Sequence, residues 1–422
     1  MMPTKRDAVT KRRAIKRRAA RSRGQGSERR DEHRGWRFPI GRALATALAA
    51  VVMCGQAWAQ CKTRAEPYPA WPEPTIVSTL SVAQAKQIVA ERTAPQTQWS
   101  GPTSGPKATT DPVTIAWVAD QSYSTYTGWG NGVHAAADAL GWKFLAFNTR
   151  GTVSGQLAAL DQALAARVTA IITPADANAL QKPIQEAVKQ CVPVVGIHAT
   201  AFPGPAPALG LYDNIASSAA EIGESQAAYV IAMSNGTARD IHMVDNSFAI
   251  ARFKARAATD PIKNCAGCKF LAMVNVPISD LAQRVGPATS GLLARFGDSW
   301  WMTTCCDDYY PYVAATLRAA GVPTDKVQLV GADAPPATYE LIRKGEYEVA
   351  SVPEPSTLFG YEAVDAIVHA MAGLPPAHWV QPTYIRTKAN IDQEGGKDNA
   401  FVPSNNFSCH YLNIWKGMNN PC

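Results

Sequence analysis

From residue 113 onward, short runs of apolar residues alternate with longer stretches in which apolar positions recur every three or four residues. VTIAWVA (113–119) is β-branched and apolar throughout, as a strand buried on both faces requires. GWGNGVHAAADALG (128–141) has helical spacing and a closing glycine. WKFLAFN reads as the next strand, and SGQLAALDQALAARV, with Leu157, Leu160 and Leu164 on one side, as the next helix. TAIITPA, ANALQKPIQEAVKQ and VPVVGIHA continue as strand, helix and strand. Strands alternating with helices at this spacing predict a parallel sheet covered on both faces.

The pattern then begins again. NIASSAAEIGESQAAYVIAM reads as a helix, RDIHMVDN as a strand, FAIARFKARAATDPI as a helix and KFLAMVNV as a strand. LAQRVGPATSGLLARF, YVAATLRAAG and ATYELIRKG are helical; WWMTTCC, KVQLVGAD and YEVASVPEP are strands. LFGYEAVDAIVHAMAG is a last long helix, and the chain from about Pro375 reads as irregular. The fold class is therefore α/β, with two doubly wound parallel-sheet lobes. Residues 60–112, rich in Pro, Thr and Ser around one helical segment (81–93), read as an extension lying on the domain.

Charge changes the picture at one end only. Residues 1–59 carry fifteen Lys/Arg against four Asp/Glu, a balance of +11, so with +7 for the whole chain the remainder carries −4. The basic character belongs to a leader and gives no reason to expect a nucleic-acid partner. A positive stretch, a short apolar run (42–53) and Ala57-Trp58-Ala59 form a secretory signal cut after Ala59. The apolar run is short for a permanent anchor, which needs about 20 residues. Neither Cys54 nor Cys61 follows the small residue of a lipidation site. The mature protein is expected to be exported and monomeric.

Removing the leader leaves eight cysteines, an even number that favours disulfides in an oxidising compartment. Cys265 and Cys268 are expected to bridge locally, and Cys409 and Cys422 to pin the tail. Cys305 and Cys306 are adjacent, a poor geometry for zinc; no metal and no cofactor is expected.

The order of motifs resembles the type I periplasmic solute-binding proteins of ABC transporters, the group of ribose-binding protein. The resemblance spans about residues 113–390. It rests on VTIAWVAD, GTVSGQLAALDQAL…VTAIITPADANAL…QKPIQEAVKQCVPVVGIH, LYDN and VQLVGADAPPATYELIRKGEYEVASVPEP in sequence. It implies two lobes joined by a three-strand hinge and closing over a small ligand. Lobe 1 would comprise 113–212 plus about 354–383, lobe 2 213–353 plus about 384–408, and the tail 409–422. The implied partners are a small-molecule ligand and the membrane permease of an importer.

Ligands of open parallel sheets bind beyond the carboxyl ends of the strands, so residues just after strands are candidates. After the first strand stand Asp120, Tyr123, Ser124 and Tyr126; the resemblance singles out Asp120 and Tyr126, and an aromatic face suits the apolar side of a sugar or a planar ring. His198-Ala199 replaces the Asp-Arg pair of the relatives. Arg252 matches a ligand-binding arginine, whose fork suits hydroxyl or carboxylate oxygens, and Asp333 matches an acceptor aspartate. Cys306 and Asp307 replace an asparagine and an aspartate, and Pro353, followed by Glu354, replaces a glutamine. In an exported protein Cys305-Cys306 is expected to form a vicinal disulfide flooring the pocket, with Asp307-Asp308 serving as helix N-terminal acids. The alternative places Cys305 inward, paired elsewhere or free.

Capture of a small solute, sugar-like or related, is the leading function; a soluble sensor for a membrane kinase uses the same fold. A repressor would need a helix-turn-helix before residue 113, and none is present. The chain has no G-x-S-x-G, P-loop or H-E-x-x-H, and an enzyme would have to rest on a His198/Cys306 thiol dyad.

Overall fold

The computed structural model describes Cys61 and residues 63–422; the leader at 1–59 and its cleavage point lie outside the described residues. Two parallel sheets organise these residues. In the first, β1 (Thr114–Ala119), β2 (Lys143–Asn148), β3 (Ala170–Thr173), β4 (Val194–Ile197) and β5 (Asp213–Ile215) lie in the order β2-β1-β3-β4-β5. In the second, β6 (Arg239–Val244), β7 (Lys269–Asn275), β8 (Trp300–Thr304), β9 (Val327–Asp333) and β10 (Glu348–Pro353) repeat that order as β7-β6-β8-β9-β10. The short antiparallel β11 (Arg386–Thr387) extends the second sheet beside β10. Central strands such as β3 and β4 are buried at every position, while the edge strand β2 has no fully buried position. That contrast is why the central strands read as apolar runs.

In each sheet the strand order reverses between the first and third strands of the lobe. This switch point opens a crevice at the carboxyl ends, where ligands of such sheets bind. The helices α2 (Ser124–Ala139) and α10 (Ser356–Ala372) cross closely on the first lobe. Glycine permits it: a Cβ on Gly360 would stand 2.0 Å from the Gly132 carbonyl carbon. Beneath the second sheet lie α5 (Ala219–Met233) and α6 (Ala249–Lys263).

The chain passes between lobes after β5, after β10, after α10 and again after β11, because α5 packs on the second sheet, α10 on the first, β11 on the second, and the last helix on α10 of the first. The last part of the chain, expected to be irregular, instead forms α11 (Phe407–Lys416), which packs on α10. Phe407, Tyr411 and Trp415 supply its buried face at i, i+4 and i+8, a periodicity hidden in so short an isolated stretch.

The segment before β1 is attached to both lobes. Cys61 is bridged to Cys191 of the first lobe. Helix α1 (Val82–Arg92), begun by a Ser81/Gln84 capping box, packs on α5 of the second, where Arg92 meets Glu224 at 2.6 Å. Trp99 then returns to the first lobe, stacked on His410 with ring centres 5.0 Å apart and packed against Trp379 and Tyr411. Cys265–Cys268 and Cys409–Cys422 are bridged as expected.

Candidate functional site

Strand ends from both sheets converge on a cleft of about 670 Å3. From the first lobe, Asp120 follows β1, Ala175 and Asp176 follow β3, and His198 follows β4. From the second, Asp245 follows β6, Cys305 and Cys306 follow β8, and Asp333 ends β9. Helix α2 adds Tyr123, Tyr126 and Trp129 at i, i+3 and i+6, one row along a single face. Their rings are in contact: 4.7 Å between the centres of Tyr123 and Tyr126, and 5.4 Å from Tyr126 to Trp129.

A buried charged network forms the floor. Lys254 Nζ lies 2.6 Å from Asp333 Oδ1 and 3.7 Å from Glu354 Oε1, and His198 Nε2 lies 3.0 Å from the same Glu354 oxygen. The Lys254 side chain is only 2% exposed. Burial alone would lower its affinity for the proton, but Asp333 and Glu354 outweigh burial and hold it above the ordinary lysine value. Burial pushes Asp333 up to about 6 against the pull of Lys254. Burial pushes Glu354 the same way, but His198 and Lys254 together keep it below the usual carboxylate value.

Two of these residues sit in left-handed backbone, His198 at φ 59° and Asp333 at φ 77°. Such conformations cost a non-glycine residue of order 1–3 kcal/mol and gather where function holds them in place. Both occur where a strand ends and the chain must turn sharply at the cleft.

Across the mouth, the Tyr123 hydroxyl donates to Asp308 Oδ2 at 2.6 Å, joining the two lobes. Burial raises Asp308 above its ordinary value, opposed by that bond. As expected, Asp307 and Asp308 open the short 3-10 turn that leads into the helix at Tyr310–Ala319, and each also bonds beyond that turn. Asp307 is fully buried, its Oδ2 accepting from Ser351 Oγ at 2.5 Å and from the Ala334 N–H at 3.1 Å. It fits because residue 331 is glycine: a Cβ there would lie 1.2 Å from Asp307 Oδ1.

The vicinal disulfide is corrected. Cys305 and Cys306 are free, buried thiols on the cleft wall. The two sulfurs interact, Cys306 holding Cys305 below the ordinary thiol value, while Cys305 and burial push Cys306 well above it. Three bridges account for the remaining six cysteines after the leader.

Of the expected site residues, Asp120, Tyr123, Tyr126, His198, Cys306 and Asp333 line the cleft. Ser124 and Arg252 do not. Ser124 opens α2 and is exposed. Arg252 is exposed on α6 and donates to the Asn246 carbonyl at 2.5 Å. The cleft-facing positions of α6 are Ile250, Ala251 and Lys254, so the cation that enters the site is Lys254. Sequence reading missed Lys254, which has no motif of its own. It also missed Trp129, which the three-residue spacing of aromatics in YSTYTGW would have revealed.

The thiol dyad is not assembled as a catalytic pair. His198 is set against Glu354 instead, its Nε2 3.0 Å from Glu354 Oε1. Among the described residues no group of three or more His, Cys, Asp or Glu side chains is placed to hold a metal ion, and no helix is long and apolar enough to cross a membrane.

Solved structures share this architecture. A solute-binding protein from Agrobacterium vitis, bound with alpha-D-tagatopyranose, aligns at TM-score 0.60 and 17% identity over 69% of this chain and 99% of its own. One from Bacillus halodurans, with myo-inositol, aligns at 0.59 and 16% over 68% and 98%. A third from Actinobacillus succinogenes, with D-allose, aligns at 0.58 and 14% over 66% and 99%. At these identities the likeness establishes the fold. A comparison with curated proteins returns no match. The family model of the periplasmic binding protein domain matches residues 115–375, and with two same-order sheets facing each other across a cleft of strand ends, the chain belongs to the periplasmic binding protein family.

Proposed function

We propose that the protein is the substrate-binding component of an importer, capturing a small solute between its lobes outside the cytoplasm and presenting it to a membrane permease. The observation that carries this reading is the cleft itself. It has room for a ring-sized solute, an aromatic wall from one lobe and an acceptor, Asp333, from the other. Asp120, Tyr123, Tyr126, His198, Cys306 and Asp333 are assigned as ligand contacts, with Lys254 holding Asp333 in position. Arg252 and Ser124 have no part in that assignment.

Closure on a ligand requires that the ligand bind the closed state better than the open one. Tyr123 and Asp308, bonded across the mouth, supply a contact that exists only when the lobes are together. The leader, read as a secretory signal ending at Ala59, and the disulfides agree with export to an oxidising compartment. Sugars and polyols are the first ligands to test, since proteins of the same fold carry alpha-D-tagatopyranose, myo-inositol and D-allose.

The test is a thermal-shift screen of the exported protein against hexoses, pentoses, polyols, nucleosides and aromatic acids. A true ligand at 100 times its Kd stabilises by about 2.7 kcal/mol. Asp333→Asn is expected to abolish that shift. Stabilisation by none of these classes overturns the reading.

A further inference from the structure

The charge of the cleft is one-sided. Asp120, Asp176, Asp245 and Asp333 line it, whereas Lys254 is the one lysine and no arginine appears among its described lining residues. The nearest arginines stand outside. Arg252 is turned to a backbone carbonyl, and Arg150 is exposed between the lining residues Thr149 and Gly151.

Lys254 is not available to a ligand anion. It is nearly fully buried and held between Asp333 and Glu354, two acids for one cation. His198 is set against Glu354 as well. The remaining carboxylates bond to neutral groups. Asp120 takes the Ser122 N–H and hydroxyl, Asp176 the Asn178 N–H and amide, and Asp245 the N–H groups of Ser247 and Ile278. Such donors satisfy lone pairs and cancel no charge. An anion entering the cleft would meet several fixed negative charges with no free cation, in a site where partial burial weakens screening.

We propose that this cleft excludes anionic solutes and favours a positively charged one, an amine- or ammonium-bearing ring compound, over its neutral counterpart. The aromatic row contributes in the same sense. Tyr123, Tyr126 and Trp129 present ring faces and edges beside Asp120, and an aromatic face attracts a cation. The inference rests on the reading of the cleft as a solute site and narrows it to a charge class.

The experiment compares matched triplets by isothermal titration with the full exported chain. These are glucose, glucosamine and glucuronate, the galacto series of the same three, and benzyl alcohol, benzylamine and benzoate. In any triplet that binds, the amine is expected to be about tenfold tighter than the neutral member and the acid about tenfold weaker. Raising the salt should weaken the amine selectively. Asp176→Asn and Asp120→Asn, at separate strand ends, should each shrink the amine-to-acid ratio by about threefold or more. An acid that binds as tightly as its neutral partner, or an amine that binds more weakly, overturns the charge inference and leaves solute capture standing. Absence of binding in every triplet, together with a blank thermal-shift screen, overturns both.

Discussion

Lys254 and Asp333 are 79 positions apart in sequence and 2.6 Å apart in space, and each is tolerable in the interior only because of the other. Removing one member of a buried pair costs roughly 3–5 kcal/mol, because the partner's charge is left unmatched. Lys254→Met is therefore expected to lower unfolding stability by about that amount near neutral pH. The loss should be smaller at pH 5. Without the ammonium, Asp333 retains its proton to higher pH in the fold than in the unfolded chain, and an acid with a raised folded value contributes stability at low pH that is lost as pH rises. Urea unfolding at pH 5 and pH 8 measures the difference; an equal loss at both would rule out the electrostatic account. Asp333 was legible from the resemblance, since it ends a strand in VGADA. Lys254 was not, because a lysine within ARFKARA gives no sign of which helix face turns toward the cleft.

At the scale of elements, the segment before β1 acts as a strap. It is covalently tied to the first lobe at Cys191, packed on α5 of the second through α1, and returned to the first through Trp99. Arg92 fastens the middle of the strap with bonds to Glu224 and Ser225, both at 2.6 Å. Trp99→Ala removes the ring that fills the space between Trp379, His410 and Tyr411, and an aromatic-to-alanine change in a packed site costs about 3 kcal/mol or more when fully buried. Because Trp99 is half-buried, a loss of about 2 kcal/mol is expected in urea denaturation. A change within about 0.5 kcal/mol would show that the strap does not stabilise the fold. The capping box at Ser81 and the alternating strands were visible in local sequence. The docking of the strap was not, because Pro- and Thr-rich segments carry little periodicity and their partners lie hundreds of residues away.

For the whole molecule, the region behind the cleft is where the chain passes between lobes, and it gathers buried acids. Asp213, Glu362 and Asp365 surround a cavity of about 20 Å3, space for about one water. Burial pushes Asp213 up to about 7, against the Asn214 N–H that it accepts, and Asp365 adds to the rise. The native state thus binds this proton more tightly than the unfolded chain does. Its stabilising contribution is complete below the ordinary aspartate value and disappears as pH rises through about 7. Melting temperature should therefore fall between pH 5 and pH 8, and Asp213→Asn should flatten that slope; an unchanged slope would remove Asp213 as its source.

By itself, the chain's hydrophobic pattern determined the two parallel sheets, because strands buried on both faces must be apolar and the helices between them must be amphipathic. It also determined that Asp120, His198 and Asp333 would stand at strand ends. Tertiary structure alone decided which side chains share the cleft, that Asp307 is core, that Cys305 and Cys306 remain thiols, and that Lys254 replaces Arg252. The reason is physical. Strand identity depends on neighbours in sequence, whereas the partner of a buried charge or thiol is set by packing between segments that sequence order keeps apart.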